Sequence, residues 1–440
     1  MSLSEDNQIN SVESEVLAEG SNYPRPARAQ ALFGQSIANM ALRGVSMAAR
    51  FLMMMGLAHY LAPADVGVFT LMYASTSLGI LLLGARFDVY STRSICANER
   101  TNAAVIIRDQ MVFHLLVYAL ILPLMLIVFA LHILPWQLLG WFYFLLVLEH
   151  SGQECNRLFV ALGQPLRATF VFFIRSGAWA AVLVPLIVFA PQYRNLQTVW
   201  VLWAVGGVLC LLFSAFWMRS LGWRVAMREK IDWMWIKRGL KPSAAYTMAL
   251  GATQLISTAD RYFLGATWKY DYVGVYGFYS SLTNFVPTFA ETGIVSILLP
   301  SILSATASGD REKYRASMSK MTKGVWAIVG VTTALSFVIA PLILMIVRKA
   351  PIYGQFIPAF AILVASAVLA TLAFIPHQAL YANHKDREIA NWSVGALAAA
   401  LICYAALTPR FGVYGVSIGS LVSSAVLVGG KWWAASKLES

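Results

Sequence analysis

Apolar residues along this chain run together in blocks of about twenty or more, separated by short polar or basic stretches. Wound as a helix at about 1.5 Å per residue, such a block spans the roughly 30 Å hydrocarbon layer of a bilayer. Twelve spans are predicted, at 33–61, 66–88, 111–134, 137–161, 168–190, 198–218, 242–267, 273–303, 324–347, 356–382, 388–408 and 412–435. The first carries Arg43 and Arg50 well inside it. An unpaired arginine at that depth costs on the order of several kcal/mol, so such residues face protein or water instead of lipid. Seven residues is about two turns, and the two guanidiniums therefore leave one helix face at two depths, as in a lane for an anion.

The halves of the pattern repeat. Val66–Gly67–Val68–Phe69 opens the second span, and Val273–Gly274–Val275–Tyr276 opens the eighth, 207 positions on; each follows an acidic residue, Asp65 or Asp271. A related Gly412–Val413–Tyr414–Gly415 opens the last span. The stretch Arg219–Lys241, with seven basic residues and three tryptophans, separates six spans from six and suits an anionic membrane surface. The expected organisation is a polar acidic tail at 1–30, a six-helix lobe at 31–219, a basic linker at 220–241 and a second six-helix lobe at 242–436. This is an all-α polytopic membrane protein with two pseudo-repeated lobes, an arrangement suited to rocking about a midplane site. Six prolines within spans (Pro123, Pro185, Pro287, Pro300, Pro341, Pro376) are places where a helix can bend.

Composition changes this picture little. The chain is 59% hydrophobic and 12% charged, with a mean hydropathy of +0.65. A net charge of +12 would point to nucleic acid in a soluble protein. Here the 33 Lys and Arg divide 22 to five between alternate loops, six remaining within spans, if Lys431 near the end of the last span is counted with the tail. That asymmetry places both termini in the cytoplasm. Cys96, Cys155, Cys210 and Cys403 are scattered without a partner at ligand spacing, and neither disulfide, metal nor other cofactor is expected.

Candidate chemistry therefore lies with charges inside spans. The basic set is Arg43, Arg50, Arg86, Arg157, Arg175 and Arg261; the acidic set is Asp88, Glu149, Glu154, Asp260 and Glu291. Arginine grips phosphate with a planar fork and stays charged when desolvated, which suits a pyrophosphate passenger. Arg43, Arg50 and Arg175 are the expected lining of a cavity, with Arg261 a further candidate. Glu149, Glu291 and Asp260 are candidates for coupling to H⁺ or Na⁺. Asp260 and Arg261 also fit a structural pair or a contact to a substrate sugar. The plainer reading of Arg86 and Asp88 is that they reach the headgroups, and of Glu154 and Arg157, three apart, that they neutralise one another. Enzyme motifs fail on context. Gly415–Val416–Ser417–Ile418–Gly419 lies in an apolar helix and reads as helix packing, and Glu149–His150 followed by Glu154 lacks a second histidine. No Walker A pattern is present.

Leu57–Ala58–His59–Tyr60–Leu61–Ala62–Pro63–Ala64–Asp65–Val66–Gly67–Val68–Phe69 resembles the first turn of Wzx-type polysaccharide flippases. Asp260–Arg261–Tyr262–Phe263–Leu264–Gly265 with Tyr272–Val273–Gly274–Val275–Tyr276 resembles the matching turn of their second lobe, and Tyr381–Ala382–Asn383–His384–Lys385 with Pro409–Arg410–Phe411–Gly412–Val413–Tyr414–Gly415 resembles their last spans. The likeness covers about 33–435 and is more specific to the wider multidrug/oligosaccharidyl-lipid/polysaccharide exporter superfamily than to one substrate. It implies a V-shaped bundle with a central cavity in the bacterial inner membrane. The implied task is ion-coupled flipping of undecaprenyl-pyrophosphate-linked oligosaccharide for O-antigen, capsule or exopolysaccharide, with a polysaccharide polymerase and chain-length regulator as partners. Alternatives are a same-fold exporter of small molecules and a lipid II flippase, whose relatives usually have two extra spans. His59 departs from the family, where a basic residue is frequent. Arg43→Ala or Arg50→Ala is expected to abolish surface polysaccharide with expression intact, Arg→Lys restoring only part; normal export by both alanine variants would refute the anion lane.

Overall fold

A computed structural model describes residues 26–97, 102–346 and 351–438. The acidic tail, as far as residue 25, and Arg348 and Lys349 lie outside the described residues. The described residues form twelve long helices: α1 (Pro26–Tyr60), α2 (Pro63–Gly84), α3 (Ala103–Met125), α4 (Leu139–Ala161), α5 (Pro165–Phe189), α6 (Leu196–Met218), α7 (Trp233–Thr267), α8 (Tyr270–Ala307), α9 (Arg311–Ile346), α10 (Ile357–Ala382), α11 (Asp386–Phe411) and α12 (Val413–Ser436). Each predicted span overlaps one of them, although 66–88 continues past the end of α2 into the short helix Phe87–Cys96 and 111–134 runs nine residues past the end of α3. No strand occurs among the described residues, where nine segments are long and apolar enough to cross a membrane. Two of the remaining helices owe the shortfall to chemistry: α4 carries Glu149, His150, Gln153, Glu154 and Arg157, and α7 carries Gln254, Asp260 and Arg261. Those helices build the site.

The two lobes meet where α2 crosses α8, next to the turns that precede them. A Cβ on Gly67 would sit 1.9 Å from the Tyr270 carbonyl oxygen, and one on Gly274 would sit 2.0 Å from that of Pro63. One turn further, a Cβ on Gly277 would meet Thr70 at 2.3 Å. The pairs Pro63/Tyr270, Gly67/Gly274 and Thr70/Gly277 are repeat mates, so the internal repeat is also the contact. Only glycine lets two backbones approach this closely. The crossing lies on the face away from the termini, and Phe51 of α1 meets Phe285 of α8 edge to face, 5.0 Å between centroids, across the same interface.

Helix interruptions follow local chemistry. Helix α8 breaks at Asn284 and α10 at Ala373, each three residues before a proline, Pro287 or Pro376; a proline ring clashes with the carbonyl four residues back. Helix α5 runs unbroken past Pro185 but opens into a π turn at Ile174–Ala178, and α8 has a second at Glu291–Val295. Gly415 packs on the Leu407 backbone and Gly419 on the Tyr404 ring, joining α12 to α11 as the small-residue stripe predicts.

Three features depart from the sequence reading. Helix α3 starts at Ala103, eight residues early, because Asn102 caps it (Oδ1 accepts from the Ala104 N–H, 2.8 Å) and its first turns are stapled to the linker. Buried Arg108 pairs with Asp109 at 2.6 Å and donates to the carbonyls of Ala226, Glu229 (2.6 Å) and Lys230 (3.0 Å). Helix α7 starts at Trp233, so the second half of the linker is continuous with the C-terminal lobe; Trp235 packs on Phe87 and Tyr90 and donates to Ser94 Oγ at 3.1 Å. The interior is not served by arginine alone, since Lys431 is buried in α12 and sits 3.1 Å from His377 Nδ1. That helix extends to Ser436, which carries Lys431 more than a turn inside it.

Gly67→Ala is expected to destabilise the protein by about 1–3 kcal/mol, as overpacking of a tight contact does. Gly44→Ala, with open space around its Cβ, serves as the neutral control; thermal unfolding in detergent compares them.

Candidate functional site

Polar residues on α2, α4 and α7 face one another between the lobes, on the termini side of the α2/α8 crossing. They enclose a cavity of about 320 Å³ lined by Ser77, Gly84 and Arg86 from α2 and its end, Gln153 and Arg157 from α4, and Gln254 and Ser257 from α7. Gln254 Nε2 donates to Ser77 Oγ across it at 3.0 Å, and Tyr262 donates to Ser75 Oγ at 3.1 Å, so hydrogen bonds link the lobes through the cavity wall. The backbone aims Arg86 there. Ala85 and Arg86 take φ of 44° and 50°, a left-handed pair that costs roughly 1–2 kcal/mol per residue, and breaks α2 from the short helix Phe87–Cys96.

The cavity's cationic wall is partly neutralised from behind. Arg157 Nη1 lies 2.6 Å from Glu154 Oε1 and 3.2 Å from Asp88 Oδ1, and Arg86 lies 3.5 Å from Asp88 Oδ2. The predicted Glu154–Arg157 pair forms, and its arginine lines the cavity. Glu154 Oε2 also accepts from Gln110 Nε2 at 2.7 Å. Two forks held by carboxylates keep capacity for an anion: each retains donors that the pairing does not use.

The other candidates fall into separate groups. Arg175 and Glu149 are brought together, buried, in direct contact; the Trp203 indole donates to the second Glu149 oxygen at 2.6 Å, and Trp203 stacks on Trp179 at 5.6 Å. Arg175 lies on the π turn of α5, and Gly152 leaves room for it: a Cβ there would be 2.7 Å from Arg175 Cδ. Arg50 joins the edge of this group by donating to the Ser176 carbonyl at 3.1 Å, a carbonyl on the π turn, and sits 5.6 Å from the Tyr73 ring centroid. Arg43 is exposed, 5.8 Å from the Phe172 ring centroid. In the second lobe, Arg261 pairs with Asp260 at 2.9 Å and donates to Ser280 Oγ (2.7 Å) and the Ser257 carbonyl (2.6 Å); Tyr276 donates to Asp260 at 2.5 Å. Glu291 is exposed on the π turn of α8, apart from all of these.

None of Arg43, Arg50, Arg175 and Arg261 is among the cavity's lining residues. The cavity instead takes Arg86 and Arg157, which depth counting ranks low, and the neutral Gln153 and Gln254, which charge counting passes over. Glutamines within predicted spans are the signal that was there to be read.

The fold is that of the MOP-superfamily transporters. An inward-facing multidrug resistance MATE family transporter superposes with a TM-score of 0.71 at 16% identity, covering 92% of this chain and 98% of the other. The lipid II flippase MurJ, in an inward closed conformation, gives 0.64 at 13% identity over 92% and 87%. A MOP-superfamily transporter from Pyrococcus furiosus, described by the reverse polarity of its binding pocket, gives 0.57 at 17% over 92% and 95%. No family model matches the sequence, and no curated protein matches it.

Glu149→Ala leaves Arg175 buried without its carboxylate and is expected to destabilise by about 3–5 kcal/mol. The double variant Glu149→Leu/Arg175→Leu should recover most of that loss, read as a coupling energy in a thermal-unfolding cycle with the single variants Glu149→Leu and Arg175→Leu.

Proposed function

We propose that this protein is a flippase that moves undecaprenyl-pyrophosphate-linked oligosaccharide repeat units across the bacterial inner membrane for O-antigen, capsule or exopolysaccharide assembly. The carrying observation is the pair of guanidiniums, Arg86 and Arg157, on a polar cavity between two lobes that touch on the far side. The basic loops put the cavity side in the cytoplasm, with both termini. In this reading the cavity receives the pyrophosphate from the inner leaflet. Arginine forks hold two phosphate oxygens at once, Gln153, Gln254 and Ser257 offer bonds to the first sugar, and the polyprenyl chain stays in lipid between the lobes. Parting α2 from α8 at Gly67 and Gly274, while the cavity side closes, would present the cargo to the periplasm. An H⁺ or Na⁺ gradient drives the cycle, with Glu149, Asp260 and Glu291 as carboxylates to test, and a polymerase and chain-length regulator receive the product.

A second reading rests on the cavity's 320 Å³, which is at the lower end of the range for a drug-sized ligand: export of a small anionic solute. The MATE-type neighbour supports the transport fold for either cargo.

Arg157→Ala and Arg86→Ala are each expected to reduce surface polysaccharide by about tenfold or more, the loss of one charge-assisted hydrogen bond to phosphate being about 1.5–3 kcal/mol. Lipid-linked repeat units should accumulate at the inner leaflet of the deletion strain. Normal polysaccharide in that strain, together with lost resistance to an anionic compound, would instead establish the second reading.

A further inference from the structure

Behind the cavity wall, inside the first lobe, two histidines and a carboxylate converge from two helices. His114 comes from α3, and His150 and Glu154 from successive turns of α4; all three are buried. One ligand atom of each lies within 4.8 Å of the others. His114 Nε2 is 3.5 Å from Glu154 Oε2 and His150 Nε2 is 3.9 Å from Glu154 Oε1. Ligands around a tetrahedral zinc, at about 2.0–2.2 Å from it, stand roughly 3.3–3.5 Å apart, so a small inward movement closes the set.

The outer nitrogens are already occupied. His114 Nδ1 faces the Leu83 carbonyl at 3.3 Å, and a carbonyl only accepts, so the proton is on Nδ1 and the Nε2 lone pair is free of it. His150 Nδ1 meets the Tyr118 hydroxyl at 2.7 Å, which in turn lies 3.3 Å from Ser151 Oγ. That chain lets His150 donate from Nδ1 to Tyr118, and Tyr118 to Ser151. The His150 Nε2 atom, in a side chain 1% exposed, is buried without a hydrogen-bond partner and aimed at Glu154. Metal-ligating histidines are held in this way by a second acceptor. Gly84 keeps the cavity side open: a Cβ there would lie 3.4 Å from His150 Nε2 and 3.7 Å from Glu154 Oε1.

We propose that His114, His150 and Glu154 bind one divalent transition-metal ion of the Zn²⁺ type, with the fourth position facing the cavity through Gly84. Two neutral imidazoles and one carboxylate suit zinc over Mg²⁺ or Ca²⁺, which take oxygen ligands. Arg157, now on Glu154, is 3.2 Å from Asp88 and keeps that counter-ion when Glu154 turns to the metal. Gln110 Nε2, 3.3 Å from His114 Nε2 and 2.7 Å from Glu154 Oε2, is a further polar group bonded to the set, and it swings away from it.

The test titrates the full-length, tag-free protein in detergent with Co²⁺ and then Zn²⁺. One saturable Co²⁺ per chain with the strong visible absorption of a four-coordinate N/O site, displaced by one equivalent of Zn²⁺, is expected. His114→Ala and His150→Ala should abolish it, and His377→Ala in the second lobe should leave it. Tyr118→Phe should weaken it about 10–100-fold, as loss of an outer-shell partner does. Absence of saturable Co²⁺ in the wild type, or retention by the His114→Ala/His150→Ala double variant, overturns the site. The wild-type titration decides the matter even where a variant fails to fold, and its outcome is independent of the transported cargo.

Discussion

The structure depends on one contact between backbones. Gly67 and Gly274 let α2 and α8 touch at a distance no side chain tolerates, and the repeat places Pro63 and Tyr270, then Thr70 and Gly277, in register with them. On the termini side of that point the lobes touch through side chains instead, Gln254 on Ser77, Tyr262 on Ser75 and Trp235 on Phe87 and Tyr90. The cavity lies on this side, and its walls include the polar stretches of α4 and α7.

Charge is managed locally around that space. Glu149 with Arg175, Glu154 and Asp88 with Arg157 and Arg86, and Asp260 with Arg261 form three compensated groups. Burial of a lone charge is costly enough that pairing is the rule, and most of the interior arginines are structural partners as well as candidate ligands. Those on the cavity differ by position, not by charge: Arg86 and Arg157 line open volume while paired to Asp88 and Glu154.

Much of the fold was legible along the chain. Apolar block length located all twelve helices, and the 207-residue repeat anticipated the two lobes. Prolines at 287 and 376 marked true interruptions. The misplaced start of α3 has a specific cause, since Arg108 and Asp109 read as loop residues until the linker carbonyls that satisfy Arg108 are known. The candidate site was less legible. Depth counted along one helix says how far an arginine lies from the membrane surface but not which way it points, and so Arg43 and Arg175 ranked above Arg86 and Arg157.

The sequence by itself determined that the chain is helical, membrane-embedded and doubled, because hydrophobic length, basic-loop asymmetry and internal repeats are one-dimensional properties set by the bilayer. Tertiary structure alone decided which polar groups meet. His114 and His150 are 36 positions apart and belong to different helices, and Ser77 and Gln254 belong to different lobes. Their meeting follows from crossing and rotation about the Gly67–Gly274 contact, which no spacing along one helix encodes.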